Sequence, residues 1–356
     1  MSGAHETINP TQRRPQGVHL VGSIPLDNAA EVFRTTSSIL GQRLRRIPDG
    51  ETGERTYWIK WQGRFMTDNP HLEAITPPAS KTYVMPPRFK LRSPASKESL
   101  TFATLGYADV AKASYNIFSQ LKQQGLLPAN TRFQVCLPTP LAPVTFLIIP
   151  EDQAAVEPAY QAALFAELDQ IAATIPHHEL AIQWDVAMEF AILAGVMQTY
   201  LNSAKAHEKI FQQLIQIGQR VPADIEMGYH LCYGDSGHRH FKEPEDTAEL
   251  VSFANAISTG VDRDINWMHL PVPRNRTDDA YFAPLRTLQL HPETELYLGL
   301  VHLTDGIAGT LQRIATAQKT IATFGVATEC GWGRRDPQTI TDLLHIHSQV
   351  SAPVDQ

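Results

Sequence analysis

Eight short apolar runs, most of them followed by a stretch of helical periodicity, predict an α/β chain folded as a single (β/α)8 TIM barrel. Length agrees, since 356 residues suit one barrel of roughly 250 residues plus insertions. Composition agrees as well: 43% hydrophobic residues supply a large core, and 19% charged residues are too few for a disordered chain. The expected organisation is a flexible polar tail over 1–16, a barrel over 17–350, and a long structured insertion after the second strand, over about 49–132.

The strands are expected at Gly17–Ser23, Leu44–Pro48, Phe133–Pro138, Leu180–Asp185, Ile225–Tyr233, Asp264–Leu270, Leu296–Leu303 and Phe324–Cys330. A helix reads over Ala29–Leu40, where Asp27 could cap the first turn. Pro158–Ile175 reads as a long helix with proline in its first turn, where a missing N–H costs nothing. Gln198–Gln219, Thr247–Ile257, Ile307–Thr323 and Pro337–His347 complete the series. Inside the long connection, Tyr57–Phe65 and Asp109–Gln124 look helical and Pro77–Pro94 is proline-rich and extended. Insertions of this kind at the C-terminal face of a barrel commonly shape the active site.

Bulk properties narrow the partner to a small molecule. A net charge of -7 argues against a nucleic-acid backbone, which needs a basic face. No apolar run approaches the roughly 18 residues that span a bilayer, so no membrane is expected. The segment Met1–Gln16 has no apolar core of a secretory signal. Three scattered cysteines, Cys136, Cys232 and Cys330, make no disulfide framework and suggest a reducing, cytoplasmic setting.

Polar residues at the C-terminal ends of barrel strands are the functional candidates. That rule selects Gly22 and Ser23, Asp49, Glu51 and Arg55, Gln183 and Asp185, His230 and Cys232, His269, His302 and Asp305, and Glu329 with Cys330. His230 and Cys232 stand two apart on a strand and face one side. Imidazole and thiolate both bind zinc, although a buried cysteine beside a hydrogen-bonded histidine would read the same way. Cys330, at the end of the last strand, can converge on the pair across the rim. Other candidates carry alternatives. Asp185 could bond neighbouring backbone, Glu51 and Arg55 could cap a helix, and His302 could be an interior histidine. Asp49, Gly50 and Gly53 could form only a tight turn. Cys136 reads as packing; Trp58, Trp61 and Trp184 either stack a ligand or fill the core. His238 and His240 are either solvated or cover the site.

In this order the motifs resemble the catalytic C-terminal barrel of cobalamin-independent methionine synthase, in the wider group that includes uroporphyrinogen decarboxylase. Val21-Gly22-Ser23-Ile24-Pro25 resembles the family's opening loop, and Gly50-Glu51 its substrate-amine pair. Pro143-Val144-Thr145 is similar to the segment after strand three, and Gln183-x-Asp185 to the Q-x-D of its substrate-binding signature. His230-Leu231-Cys232-Tyr233 and Cys330-Gly331 resemble its zinc motifs. The likeness runs from about Gly17 to Asp336. The chain departs from the pattern at Val186-Ala187, at His302-Leu303-Thr304-Asp305, and at strand six, where the family's glutamate ligand falls on or near His269.

The resemblance implies Zn²⁺ held by His230, Cys232, Cys330 and His269, with Glu51 and Asp185 binding a substrate ammonium and the Gly22–Ser23 loop its carboxylate. Asp185, His302 and Asp305 become the catalytic candidates, and the implied reaction is methyl transfer to a homocysteine-like thiol. A histidine in place of glutamate leaves the metal a stronger Lewis acid, which keeps a zinc hydrolase or lyase as a second reading. A metal-free decarboxylase of the uroporphyrinogen type is the third.

Overall fold

The computed structural model describes residues 14–75, 87–94, 96–201, 205–234 and 239–355. Its centre is a curled parallel sheet of seven strands surrounded by helices. In chain order the strands are β1 (Arg46–Pro48), the hairpin pair β2 (Leu72–Ile75) and β3 (Arg88–Leu91), β4 (Arg132–Pro138), β5 (Leu180–Val186), β6 (Glu226–Leu231), β7 (Trp267–Pro271), β8 (Glu295–Gly299) and β9 (Gly325–Val326). The sheet runs β1-β4-β5-β6-β7-β8-β9, each neighbour parallel, while β2 and β3 pair antiparallel outside it. β5 is buried at all seven positions, as expected of a strand covered on both faces.

The expected first strand is not a strand. Its residue Val18 makes single parallel bridges to Leu44 at one edge of the sheet and to Val326 at the other. The Val18 N–H donates to Arg43 O (2.9 Å), and the His19 N–H to Val326 O (2.9 Å). A ladder shared between two edges offers too few bonds on either side to count as a strand of either. The last two strands are also shorter than expected, which leaves His302, Glu329 and Cys330 in loops. At Gly299 the two segments pack backbone against backbone, where a Cβ would stand 2.9 Å from Glu329 Cα.

The helices follow the expected pattern with corrected ends. Asn28, not Asp27, caps Ala29–Leu40; its side chain accepts the Glu31 N–H at 3.0 Å. The long helix begins at Pro150 rather than Pro158 and runs to Thr174, so Pro158 lies inside it. Burial of Val156 and Tyr160 on either side of that proline carries the helix through the lost hydrogen bond. Ala206–Arg220, Ala248–Gly260, Gly306–Ala317 and Ile340–Val350 close the ring.

Within the expected insertion, Tyr107–Gln123 packs against both Ala29–Leu40 and Pro150–Thr174, the position of an ordinary ring helix. Its N-terminus lacks a side-chain cap of its own. Glu167 on the neighbouring helix serves instead, accepting from the N–H groups of Leu105, Gly106 and Ala108. The Tyr57–Phe65 segment falls in a 3-10 stretch, Gly53–Gln62, broken at Tyr57 and Trp58 and followed by a short helix over Gly63–Thr67. Most of Pro77–Pro94, as well as residues 1–13 of the tail and His238, lie outside the described residues. The end of the tail is tied down, because Gln16 bridges Ala352.

Candidate active site

Strand alternation puts one row of side chains inside the sheet. Gln134 and Cys136 on β4, Gln183 and Asp185 on β5, and Trp267 and His269 on β7 stand two apart, so each pair shares a face. At the upper level Asp185, His230 and His269 are consecutive register partners on β5, β6 and β7. Gln183, fully buried, anchors this layer. Its amide nitrogen donates to Asp185 Oδ1 (2.8 Å), and its Oε1 lies 2.8 Å from His19 Nε2.

His230, Cys232 and Cys330 come together just above. One ligand atom from each lies within 4.8 Å of the others, and the two sulfurs are 3.6 Å apart. Neither cysteine is in a disulfide. In a tetrahedral zinc site with Zn–S near 2.3 Å, two sulfurs stand about 3.8 Å apart, so the donor set and its spacing fit a metal ion. Three donors leave a coordination position open, the pattern of catalytic sites more than structural ones. The Gly234 N–H donates to Cys232 Sγ at 3.3 Å, an interaction that favours a thiolate.

The expected substrate residues line the same cleft. Gly22, Ser23, Glu51 and Asp185 surround a space of about 70 Å³ together with His230, Cys232, Cys330, Trp58 and Arg334. Ser23 also braces the loop that carries Cys330, since its Oγ accepts the Gly333 N–H at 3.2 Å. Glu51 and Asp185 titrate as a pair. Burial first, and then the neighbouring Asp185 charge, push the Glu51 carboxyl up to about 8. Burial likewise raises Asp185 to about 8, against hydrogen bonds from Gln183 and Trp58. Burial and each other's charge thus favour the protonated form of this carboxyl pair.

His269 is not brought to the cluster. It is fully buried behind His230, with Nδ1 at 2.7 Å from His230 Nδ1 and Nε2 at 2.9 Å from Thr328 O. Both ring nitrogens are used, so the expected fourth ligand is engaged inside the curled sheet rather than at the cluster. Asp305 is likewise engaged elsewhere: it binds Arg313 through both oxygens, at 2.6 and 2.8 Å. His302 sends Nε2 to Val272 O (2.9 Å), while its Nδ1 lies 3.5 Å from Glu329, which also pairs with His240 at 3.0 Å. Arg55 holds Asp49 bidentately, at 3.2 and 2.7 Å. Cys136 is bound to Val21 O at 3.3 Å, and Trp184 is core.

Two contributors had weak signals in the sequence. Arg334 follows Cys330 closely, and its charge lowers the Glu51 pKa against the larger effect of burial. Trp58 lines the cleft in a left-handed conformation at φ 55°; Glu51, at φ 45°, is the other non-glycine among the described residues with positive φ. Strained backbone of this kind concentrates at functional sites. The cleft adjoins a larger, mainly apolar cavity of about 320 Å³ bounded by Tyr57, Phe146, Met188, Met197, Phe241 and His240.

Solved structures place this geometry in context. The chain is similar to a B12-independent methionine synthase from Shewanella sp. W3-18-1, solved in complex with selenomethionine. The TM-score is 0.61 at 11% identity, over 95% of this chain and 97% of that one. It has the fold of the B12-independent methionine synthases. A candidate enzyme of that kind from Listeria monocytogenes gives a TM-score of 0.53 at 13% identity, over 96% of this chain and 100% of that one. A methyltransferase from Methanosarcina mazei gives 0.54 at 10% identity, over 96% and 95%. No family model and no curated protein matches the sequence.

Proposed function

We propose that this chain is a zinc-dependent methyltransferase that activates a homocysteine-like thiol, in a barrel whose eighth stave is the Gly17–Ser23 segment. One observation carries the reading: a His/Cys/Cys donor set and a carboxyl pair open onto one cleft. A bound Zn²⁺ would supply the positive charge that lets an acceptor thiol lose its proton near neutral pH. His230, Cys232 and Cys330 would hold it.

The chain's own residues orient the acceptor. Glu51 and Asp185 receive its ammonium group, giving up their shared proton, and Arg334 on the same cleft wall faces its carboxylate. The adjoining apolar cavity keeps water from the reacting sulfur and gives room for the donor. In the transfer, the sulfur lone pair forms the new S–C bond. The bond from the methyl carbon to the donor heteroatom breaks with its electrons leaving on the donor, which takes up a proton from solvent to replace the one released when the thiol bound. The hydrolase reading rested on His269 as a ligand, and both His269 nitrogens are committed elsewhere. The metal-free decarboxylase reading leaves the converging donor set without a purpose.

Calorimetry with homocysteine tests the proposal. Zinc-loaded protein should bind it with proton release, and chelated protein should not. Asp185→Asn should weaken binding tenfold or more, about 1.4 kcal/mol, while zinc content stays unchanged. Equal binding with and without metal would overturn the reading.

A further inference from the structure

We infer that His269 is a positioning residue that locks His230 in one tautomer, so that the nitrogen left with a free lone pair is Nε2. The argument begins at a main-chain carbonyl. Thr328 O can only accept, so His269 Nε2, at 2.9 Å, must carry the proton. His269 is fully buried, and its two hydrogen-bond partners are a carbonyl and a neutral ring; a cation there would be uncompensated. The neutral ring then has a bare Nδ1, which accepts. Its partner at 2.7 Å is His230 Nδ1, which must be the donor. With its proton on Nδ1, His230 has only Nε2 for a metal ion.

Thr328 does more than begin the relay. Its hydroxyl donates to Cys330 O (2.7 Å) and accepts from Trp332 Nε1 (2.7 Å). One hydrogen-bonded path thus runs from Cys330 through Thr328 and His269 to His230, joining donors from opposite arcs of the sheet. The inference rests on the metal reading only for its consequence in affinity; the tautomer assignment stands by itself.

Two measurements test it. In metal-free protein labelled with ¹⁵N-histidine, two-bond ¹H–¹⁵N correlations should report His230 protonated on Nδ1 and His269 on Nε2. Glutamine at position 269 can accept from His230 and donate to Thr328 O, whereas leucine can do neither. Zinc affinity, read by chelator competition, should therefore fall roughly 10–100-fold in His269→Leu and stay within about threefold in His269→Gln. His230 should keep its tautomer in the Gln variant. His230 protonated on Nε2 in the wild type, or equal zinc affinity in the Leu and Gln variants, would overturn the inference. If His269→Leu fails to fold, the wild-type and Gln spectra still decide it. Correct tautomers without any zinc binding would support the relay and defeat the metal reading alone.

Discussion

Glu51 combines three unfavourable features: positive φ, burial and a like-charged neighbour. A carboxyl whose folded pKa is raised keeps its proton in the native state where the unfolded chain has lost it. Between the ordinary carboxylate pKa, near 4, and about 8, the folded protein therefore binds more protons, and stability falls as pH rises through that window. Glu51→Gln removes this contribution. Denaturant titrations at pH 5 and pH 8 should show the variant gaining stability relative to wild type at the higher pH, while losing amine binding; a variant less stable at pH 8 than at pH 5, relative to wild type, would contradict the account. Asp305 makes the opposite case. Arg313 is fully buried and relies on Asp305 for compensation, although Asp305 keeps a third of its side chain in water. Asp305→Asn should cost about 3 kcal/mol by urea unfolding, at the low end for a broken buried pair, and leave metal binding intact. Loss of metal with stability preserved would give Asp305 a role at the site instead.

At the scale of elements, the alternation of Gln183 with Asp185 and of His230 with Cys232 was legible because strand geometry alone puts each pair on one face. The position of His269 was legible too, but not its orientation. A residue at a strand end can serve the site or the layer beneath it, and the choice turned on a Thr328 carbonyl from a non-adjacent strand-end loop. The segment after β1 was readable as a turn and, by resemblance, as a substrate-amine pair, but its strain was not, since backbone strain leaves no composition signal. That turn positions Glu51 by close packing: a Cβ on Gly50, at φ 80°, would meet Val32 at 2.6 Å. Gly50→Ala should therefore lower stability by about 2 kcal/mol and weaken ammonium binding together. Unchanged thermal unfolding would show that the turn accommodates a side chain.

Across the whole molecule, the two ends of the sheet carry different charge designs. At the lower end Arg46 is buried against Trp267, 4.2 Å from its ring, and bound to Glu226 (2.6 Å) and Glu295 (2.9 Å), a closed and compensated network. At the upper end two buried carboxyls share a cleft beside two thiols, an arrangement that destabilises the unliganded chain and favours a cationic occupant. The strand-and-helix order was readable because the strands of the parallel sheet are short, largely buried apolar runs set between helical stretches. The single-bridge contact of Val18 with both sheet edges was not, because closure depends on residues more than 300 positions apart. The central claim is a metal bound by His230, Cys232 and Cys330, and metal analysis joined to X-ray absorption of protein purified without chelator tests it most directly. The account predicts one zinc per chain with two sulfurs and one imidazole nitrogen among its ligands; absence of a stoichiometric metal, or a metal with no sulfur in its shell, would contradict it.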